Sequence, residues 1–315
     1  MRAALLLPAA LALAACQPVA PVPVEPSPVP TARPARPSAA PPTASAQSRD
    51  ARAFYANLQG RLLSGGLLKR DDGEDATSFD AAALARNFER IALFSEYAEV
   101  DGRFVPRQSR AQLRRWEGPV RVELHFGSSV PGPVQRTDRV RVESYLARLA
   151  RLTDHQIGLV ETGGNFHLFV ASVDEQEALG PAIAAAEPGL ARTTIREITR
   201  LDWTTYCAVY ASSSSNRPNA YVSAIAFVRA EHPDLFRQSC YHEEIAQGLG
   251  LANDSFDVRP SIFNDDEEFA LLTRHDELLL RMLYDPRLEI GMDAEEARPV
   301  VRRIAAELRA EDSPV

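Results

Sequence analysis

Residues 240–254 read Cys240-Tyr241-His242-Glu243-Glu244-Ile245-Ala246-Gln247-Gly248-Leu249-Gly250-Leu251-Ala252-Asn253-Asp254. Side chains able to hold a cation or move a proton crowd together here. A catalytic zinc takes three protein ligands that bind as anions or neutral imidazoles. Glu243 qualifies. Gln247 and Asn253 offer neutral amide oxygens, which are poor zinc donors, and Asp254 is the remaining good one. His242 starts no histidine pair, because its i+4 neighbour is Ala246. On a helix, Glu243 and Gln247 share one face, roughly opposite Ile245. Other candidates read more blandly. His125 and His167 sit in strand-like segments beside aromatic residues, as core or edge side chains. Asn264-Asp265-Asp266-Glu267-Glu268 lacks the spaced oxygens and glycine of a calcium loop and reads as a solvated turn. Ser212 to Ser215 read as a loop between strands, with no nucleophile elbow around them.

The elements that must position these groups follow from periodicity. Pro233 opens a helix whose inner face is Tyr241, Ile245 and Leu249, and Gly250 stops it. Helical spacing covers 51–63 and 79–97, the latter with Leu84, Phe88, Ile91, Ala92 and Phe94 as its apolar stripe. Helices also fall at 138–152, 272–284 and 293–309. Strands are expected at 119–126, 157–161, 166–173, 206–211 and 220–229. Thr162-Gly163-Gly164-Asn165 reads as the turn of a hairpin joining the second and third. The charged run 69–75 reads as a solvated loop. Strands grouped around one early helix predict an α+β layer fold rather than a doubly wound sheet.

The chain has 315 residues, 45% of them hydrophobic, a formal charge of −8, 23 prolines and three cysteines. Its acidity argues against nucleic acid as a partner, since phosphate binding needs a basic face. Residues 1–15 are one arginine and an apolar run too short to span a bilayer, as in a secretory signal. Leu13-Ala14-Ala15-Cys16 resembles the lipobox of bacterial lipoproteins. That resemblance implies cleavage before Cys16 and lipid on its sulfur, with two or more chains needed for stable anchoring. Gln17 in place of an aspartate favours the outer membrane, facing the periplasm. Ten of the prolines lie between Gln17 and Gln47, so 16–48 is expected to be an extended, lipid-anchored linker. The body, 49–315, reads as one large domain. In an oxidising compartment Cys207 and Cys240 are expected to be bridged. Closing that loop contributes on the order of 3–4 kcal/mol in the chain-entropy treatment.

The 240–254 segment resembles the H-E-x-x-H-x-x-G-x-x-H/D helix and turn of metzincin-type zinc proteases. Gly250 falls at the turn glycine and Glu244 at the general base. Glu243, Gln247 and Asn253 or Asp254 fall at the three metal positions, all altered. Pro260-Ser261-Ile262-Phe263-Asn264 resembles the tight turn beneath the metal, with Phe263 in place of methionine. Leu272 to Tyr284 resembles the closing helix of matrixins. The likeness covers about 116–284. It leaves 49–115 as an N-terminal helical extension and 285–315 as C-terminal helices. It implies a zincin-like mixed sheet with a helix A and an active-site-type helix B.

A longer match is more specific. Cys-x-x-Glu-Glu-x-x-Gln-x-Leu-Gly-Leu-x-Asn-Asp, then Ser-Ile-Phe-Asn-Asp, Leu-Thr-x-His-Asp and Leu-Tyr-Asp-Pro, identify the chain as similar to a bacterial family catalogued as domain of unknown function 2927. Three readings follow. One is a non-catalytic envelope module that binds a protein or envelope polymer and carries no cofactor. In another, Glu243 and Gln247 play only a structural role, bonded to each other or a neighbouring loop. The last is a peptidase-like hydrolase, with Glu244 as general base and Glu243, Gln247 and Asp254 around a hard cation such as Ca²⁺ or Mn²⁺.

Overall fold

A computed structural model describes residues 43–70, 79–100 and 103–312, with the side chains of 95–100, 103–108 and 312 excepted. These residues lie within one compact unit, Pro41–Val315. The signal, Cys16 and most of the linker lie outside the described residues, as does the charged loop beyond Arg70.

In chain order the elements are α1 (Ala46–Ser64), α2 (Ala81–Ala92), β1 (Phe94–Val100), β2 (Arg103–Arg110), β3 (Arg115–Trp116), β4 (Val120–Phe126), α3 (Gly132–Thr153), β5 (Ile157–Val160) and β6 (Phe166–Ala171). There follow α4 (Val173–Gln176), a 3-10 turn, α5 (Gly180–Ala186), α6 (Arg192–Ile198), β7 (Cys207–Ser214), β8 (Arg217–Arg229), α7 (Asp234–Leu249), α8 (Arg274–Leu283) and α9 (Ala294–Asp312). The fold is mixed α+β. Among the described residues no helix is long and apolar enough to cross a membrane.

The main sheet runs β3-β8-β6-β4-β5, with β7 added antiparallel to β8 and every other pairing parallel. Side chains alternate across it, so β4 sends Val120, Val122 and Leu124 to one face and Arg121, Glu123 and His125 to the other. The first face, with Phe166, Leu168, Ala224 and Ala226, forms the main core with α2, α3, α7, α8 and α9. The second, with Phe169, Ile225 and Phe227, carries a smaller core closed by Ile183 and Ile198 of α5 and α6. A third cluster seats Tyr55 of α1 against Leu235 and Phe236.

Several expectations change. α1 opens at Ala46, inside the stretch read as linker, with Ser45 accepting the amide of Ser48. The helix read over 79–97 ends at Ala92, because the chain from Phe94 turns into a β1–β2 ribbon. β5 and β6 form no hairpin. They flank β4 on opposite sides, and both run parallel to it. Gly163 still makes a turn at positive φ, but Asn165 uses it to enter the far side of β4 by hydrogen bonding the Arg121 amide at 2.7 Å. Ser212 to Ser214 are strand rather than loop, since β7 extends to Ser214 opposite Arg217. The short helices α4 to α6 have no counterpart in the expected elements.

Candidate functional site

The α7 segment is built as its termini predict. Pro233 caps it, and Gly250 ends it at φ +130. A Cβ at Gly250 would sit 2.3 Å from the Arg114 carbonyl oxygen, and one at Gly248 2.4 Å from the Phe166 ring. Both glycines are therefore fixed by close packing of α7 on the strands beneath it. The Trp116 indole donates to the Gly248 carbonyl at 2.8 Å. The expected bridge joins Cys207 to Cys240, across 33 positions with Cα atoms 5.9 Å apart. It ties α7 to edge strand β7. Near the helix start, Arg237 grips the buried Asp138 carboxylate of α3 at 2.7 and 3.0 Å, and the Tyr241 hydroxyl donates to the same carboxylate at 2.9 Å.

The residues read as candidate ligands do not gather round one point. Gln247 gives its amide to both oxygens of Asp254, at 2.9 and 3.1 Å. Asn253 turns away and donates to the Arg90 carbonyl at 2.8 Å. Glu244 is buried, with 3% of its surface exposed. Glu243 and Glu244 lie together beside the Cys207 sulfur, within 4.8 Å. That sulfur is held in the disulfide and offers no thiolate. A zinc at this point would need anionic or imidazole donors. The Gln247 amide faces Asp254 instead, so the donor set does not fit the metal.

The remaining motif residues act as fasteners. Asp276 accepts from the Ser261 hydroxyl at 2.5 Å and the Ile262 amide at 3.0 Å, and completes a capping box with Thr273. Thr273 in turn donates to the Pro260 carbonyl at 2.9 Å. Asn264 donates to the carbonyls of Phe256 and Val258 at 3.0 and 2.9 Å. His275, fully buried, bonds Asn87 of α2 at 3.0 Å. The Tyr284 hydroxyl donates to the Leu249 carbonyl at 3.1 Å. His242 accepts the Leu272 amide at 3.1 Å through Nδ1 and stacks on Tyr145 at 3.9 Å. Burial, with the nearby Arg148 charge, pushes its pKa down to about 3. In the acidic turn, Arg259 clamps Asp266 and Glu268, and Lys69 reaches Glu268 at 3.1 Å.

On the opposite face of the sheet, His125 and His167, expected as core or edge side chains, meet Glu123 in a cluster. Glu123 and His125 project from β4 on one side, and His167 faces them from neighbouring β6, in register with Glu123. His125 Nε2 and His167 Nδ1 are 3.0 Å apart. Glu123 Oε1 lies 3.7 Å from His125 Nε2, and Oε2 lies 4.0 Å from His167 Nδ1. Burial lowers the pKa of both imidazoles, against the opposing pull of Glu123. The signal was the Glu-x-His spacing of β4, which puts both side chains on one face. What the sequence lacked was the adjacency of β4 and β6.

No curated protein and no solved structure matches the chain. A family model described as a protein of unknown function, DUF2927, matches residues 81–303. That span takes in β4, β6, α7 and the fastened loops through α8. On that match, the chain belongs to the DUF2927 family.

Proposed function

We propose that this is a cell-envelope protein, lipid-anchored through Cys16 at the outer membrane and facing the periplasm. Its zincin-like domain is non-catalytic and serves as a binding or structural module for a protein or envelope polymer. The order β4-α3-β5-β6-β7-β8-α7, with the short helices α4 to α6 inserted between β6 and β7, supports the zincin-like reading, since it otherwise follows the strand–helix–four-strand–helix succession. One observation carries the non-catalytic reading. Gln247 spans both oxygens of Asp254 where a hydrolase would need open ligands. The bridged cysteines agree with an oxidising compartment.

Two measurements on the full-length protein test this. Labelled palmitate is expected to enter the wild type in a Gram-negative host, and Cys16→Ser is expected to abolish labelling and release the protein from membranes. A Cys16→Ser protein that stays membrane-bound would overturn the anchor. Peptide hydrolysis, assayed with Mn²⁺ or Ca²⁺ present, is expected to be indistinguishable between wild type and Glu244→Gln. A turnover lost on Glu244→Gln would install the hydrolase reading, with Glu243 and Asp254 at the cation.

A further inference from the structure

We propose that Glu123, His125 and His167 form a binding site for a divalent transition-metal ion of the Zn²⁺ class, on the face of the sheet opposite α7. The site goes beyond the function proposed above and shares no residue with it.

Tetrahedral zinc has bonds of about 2.0–2.2 Å to imidazole and carboxylate, which puts neighbouring donor atoms about 3.3 Å apart. Here His125 Nε2 lies 3.0 Å from His167 Nδ1 and 3.7 Å from Glu123 Oε1, while the other carboxylate oxygen, Oε2, lies 4.0 Å from His167 Nδ1. The last two separations are too long for hydrogen bonds between carboxylate and imidazole. They are near the edges of a metal's coordination shell. Three donors thus converge with one hydrogen bond among them, the one between the two rings. A neutral histidine pair needs one proton in that bond. When both inner nitrogens turn to a cation, the ring that donated in that bond moves its single N–H proton to its outer nitrogen, so binding requires one tautomer change and no net loss of a proton.

The donors are also held in place. Outer contacts orient the ligands, as they do in established metal sites. The Gly164 amide donates to Glu123 Oε2 at 2.9 Å, which leaves Oε1 directed to the cluster. Room for that backbone approach exists only because Gly164 has no side chain. A Cβ there would sit 2.6 Å from the Glu123 Cβ. His125 stacks on Phe169, with centroids 4.4 Å apart and planes 14° apart. Glu187, after α5, adds a further negative charge felt by His167.

Access is graded. The side chain of His167 is 6% exposed, that of Glu123 16% and that of His125 30%. The protein holds two ligands from inside and presents the third at the surface, so an ion can enter from solvent and keep a water or a partner's ligand in its fourth position. Two imidazoles and one carboxylate select a borderline ion over Ca²⁺ or Mg²⁺, which prefer all-oxygen shells.

The test uses full-length protein in detergent, stripped with chelator and titrated with Zn²⁺ alone. One equivalent is expected to bind, while Ca²⁺ and Mg²⁺ produce no saturable binding. His125→Ala and Glu123→Gln are each expected to weaken Zn²⁺ by more than about 100-fold, because even outer-contact changes cost about 10–100-fold. Glu243→Gln is expected to leave affinity unchanged. Absence of stoichiometric Zn²⁺, or affinity untouched by His125→Ala, would overturn the site. So would loss of zinc in Glu243→Gln. If His125→Ala fails to fold, X-ray absorption on the wild-type zinc complex decides instead. Two imidazoles in the shell are expected, and a shell without imidazole refutes the assignment.

Discussion

On the α7 face of the sheet, Gln247 gives its amide to Asp254, and Asp276 collects a hydroxyl and two amides from the loops it joins. On the other face, Glu123, His125 and His167 point at one another with a single hydrogen bond between ring nitrogens. Residue types alone would rank these regions the other way round. The α7 side has the denser run of carboxylates, amides and histidines, yet Gln247, Asn264, Thr273 and Asp276 are occupied in holding loops and helix ends together. The β4–β6 side has three such groups, and its carboxylate stands 3.7 and 4.0 Å from the two rings, beyond hydrogen-bond distance. A concentration of polar side chains in sequence can therefore mark where a chain is fastened. A functional cluster is recognised by where its donors point.

The sharpest way to break this contrast is to remove one group from each face and compare folding. Asp276 is fully buried, and its loss strands the Ser261 hydroxyl and the Ile262 and Thr273 amides. Unsatisfied buried polar groups cost about 1–3 kcal/mol each. Asp276→Ala is expected to lose about 3–5 kcal/mol in urea unfolding of the apo protein. Glu123→Gln, by contrast, is expected to stay within about 1 kcal/mol, since its amide can still accept from Gly164. Equal losses on both faces would erase the distinction between fastening and binding groups.

Much of the α7 region was legible because its determinants are local. Pro233 and Gly250 mark the ends of one helix, and Tyr241, Ile245 and Leu249 mark its inner face. Apart from β3, only two residues long, the strands of the main sheet were legible from local pattern for the same reason. Their pairing was not, because Gly163 and Gly164 look alike whether they close a hairpin or start a crossover. Only burial of both neighbours of β4 decides between them. The stretch holding α4 to α6 was missed because Ile183 and Ile198 are nearly all it buries of the large aliphatic kind, and each helix is at most seven residues long. The Glu123–His125–His167 cluster was illegible for a related reason. His125 and His167 are 42 positions apart and meet only through parallel neighbours.

Acid tests a second side of the contrast, since both faces hold imidazoles kept neutral by burial, to different degrees. His242 is pushed from 6.5 to about 3. A base whose folded pKa is depressed contributes stability above its unfolded pKa, and that stability is lost as pH falls towards the folded value. Between pH 6.5 and 4 the loss from His242 is about 2–3 kcal/mol, at 1.36 kcal/mol per pH unit. His232, also buried and held well below its ordinary value, adds in the same direction. His242→Asn, whose side-chain oxygen can still accept from Leu272, is expected to flatten that part of the slope in urea midpoints measured against pH. His125→Ala is expected to leave it nearly unchanged. A slope unaltered by His242→Asn would mean that this ring is not held neutral by its core.

The smallest effect comes from a carboxylate on the fastened side whose neighbours have its own sign. Glu267 sits beside Asp265 and Asp266, and burial together with those charges raises it from 4.5 to about 7. Its backbone carbonyl accepts from Leu68, so the segment cannot swing away to relieve the repulsion without losing that bond. A group whose folded pKa is raised contributes stability below its unfolded pKa, and that contribution is lost as pH rises through the folded value. The window is therefore about pH 4.5 to 7, opposite in sign to the effect of His242 and overlapping its upper part. Glu267→Gln removes the charge and keeps the shape. It is expected to gain about 1–2 kcal/mol at pH 8 and nothing at pH 4. A gain at both pH values would point to packing. No gain at pH 8 would mean that a cation offsets the charge, and Lys69 and Arg259, which already hold Glu268, are the nearest named candidates.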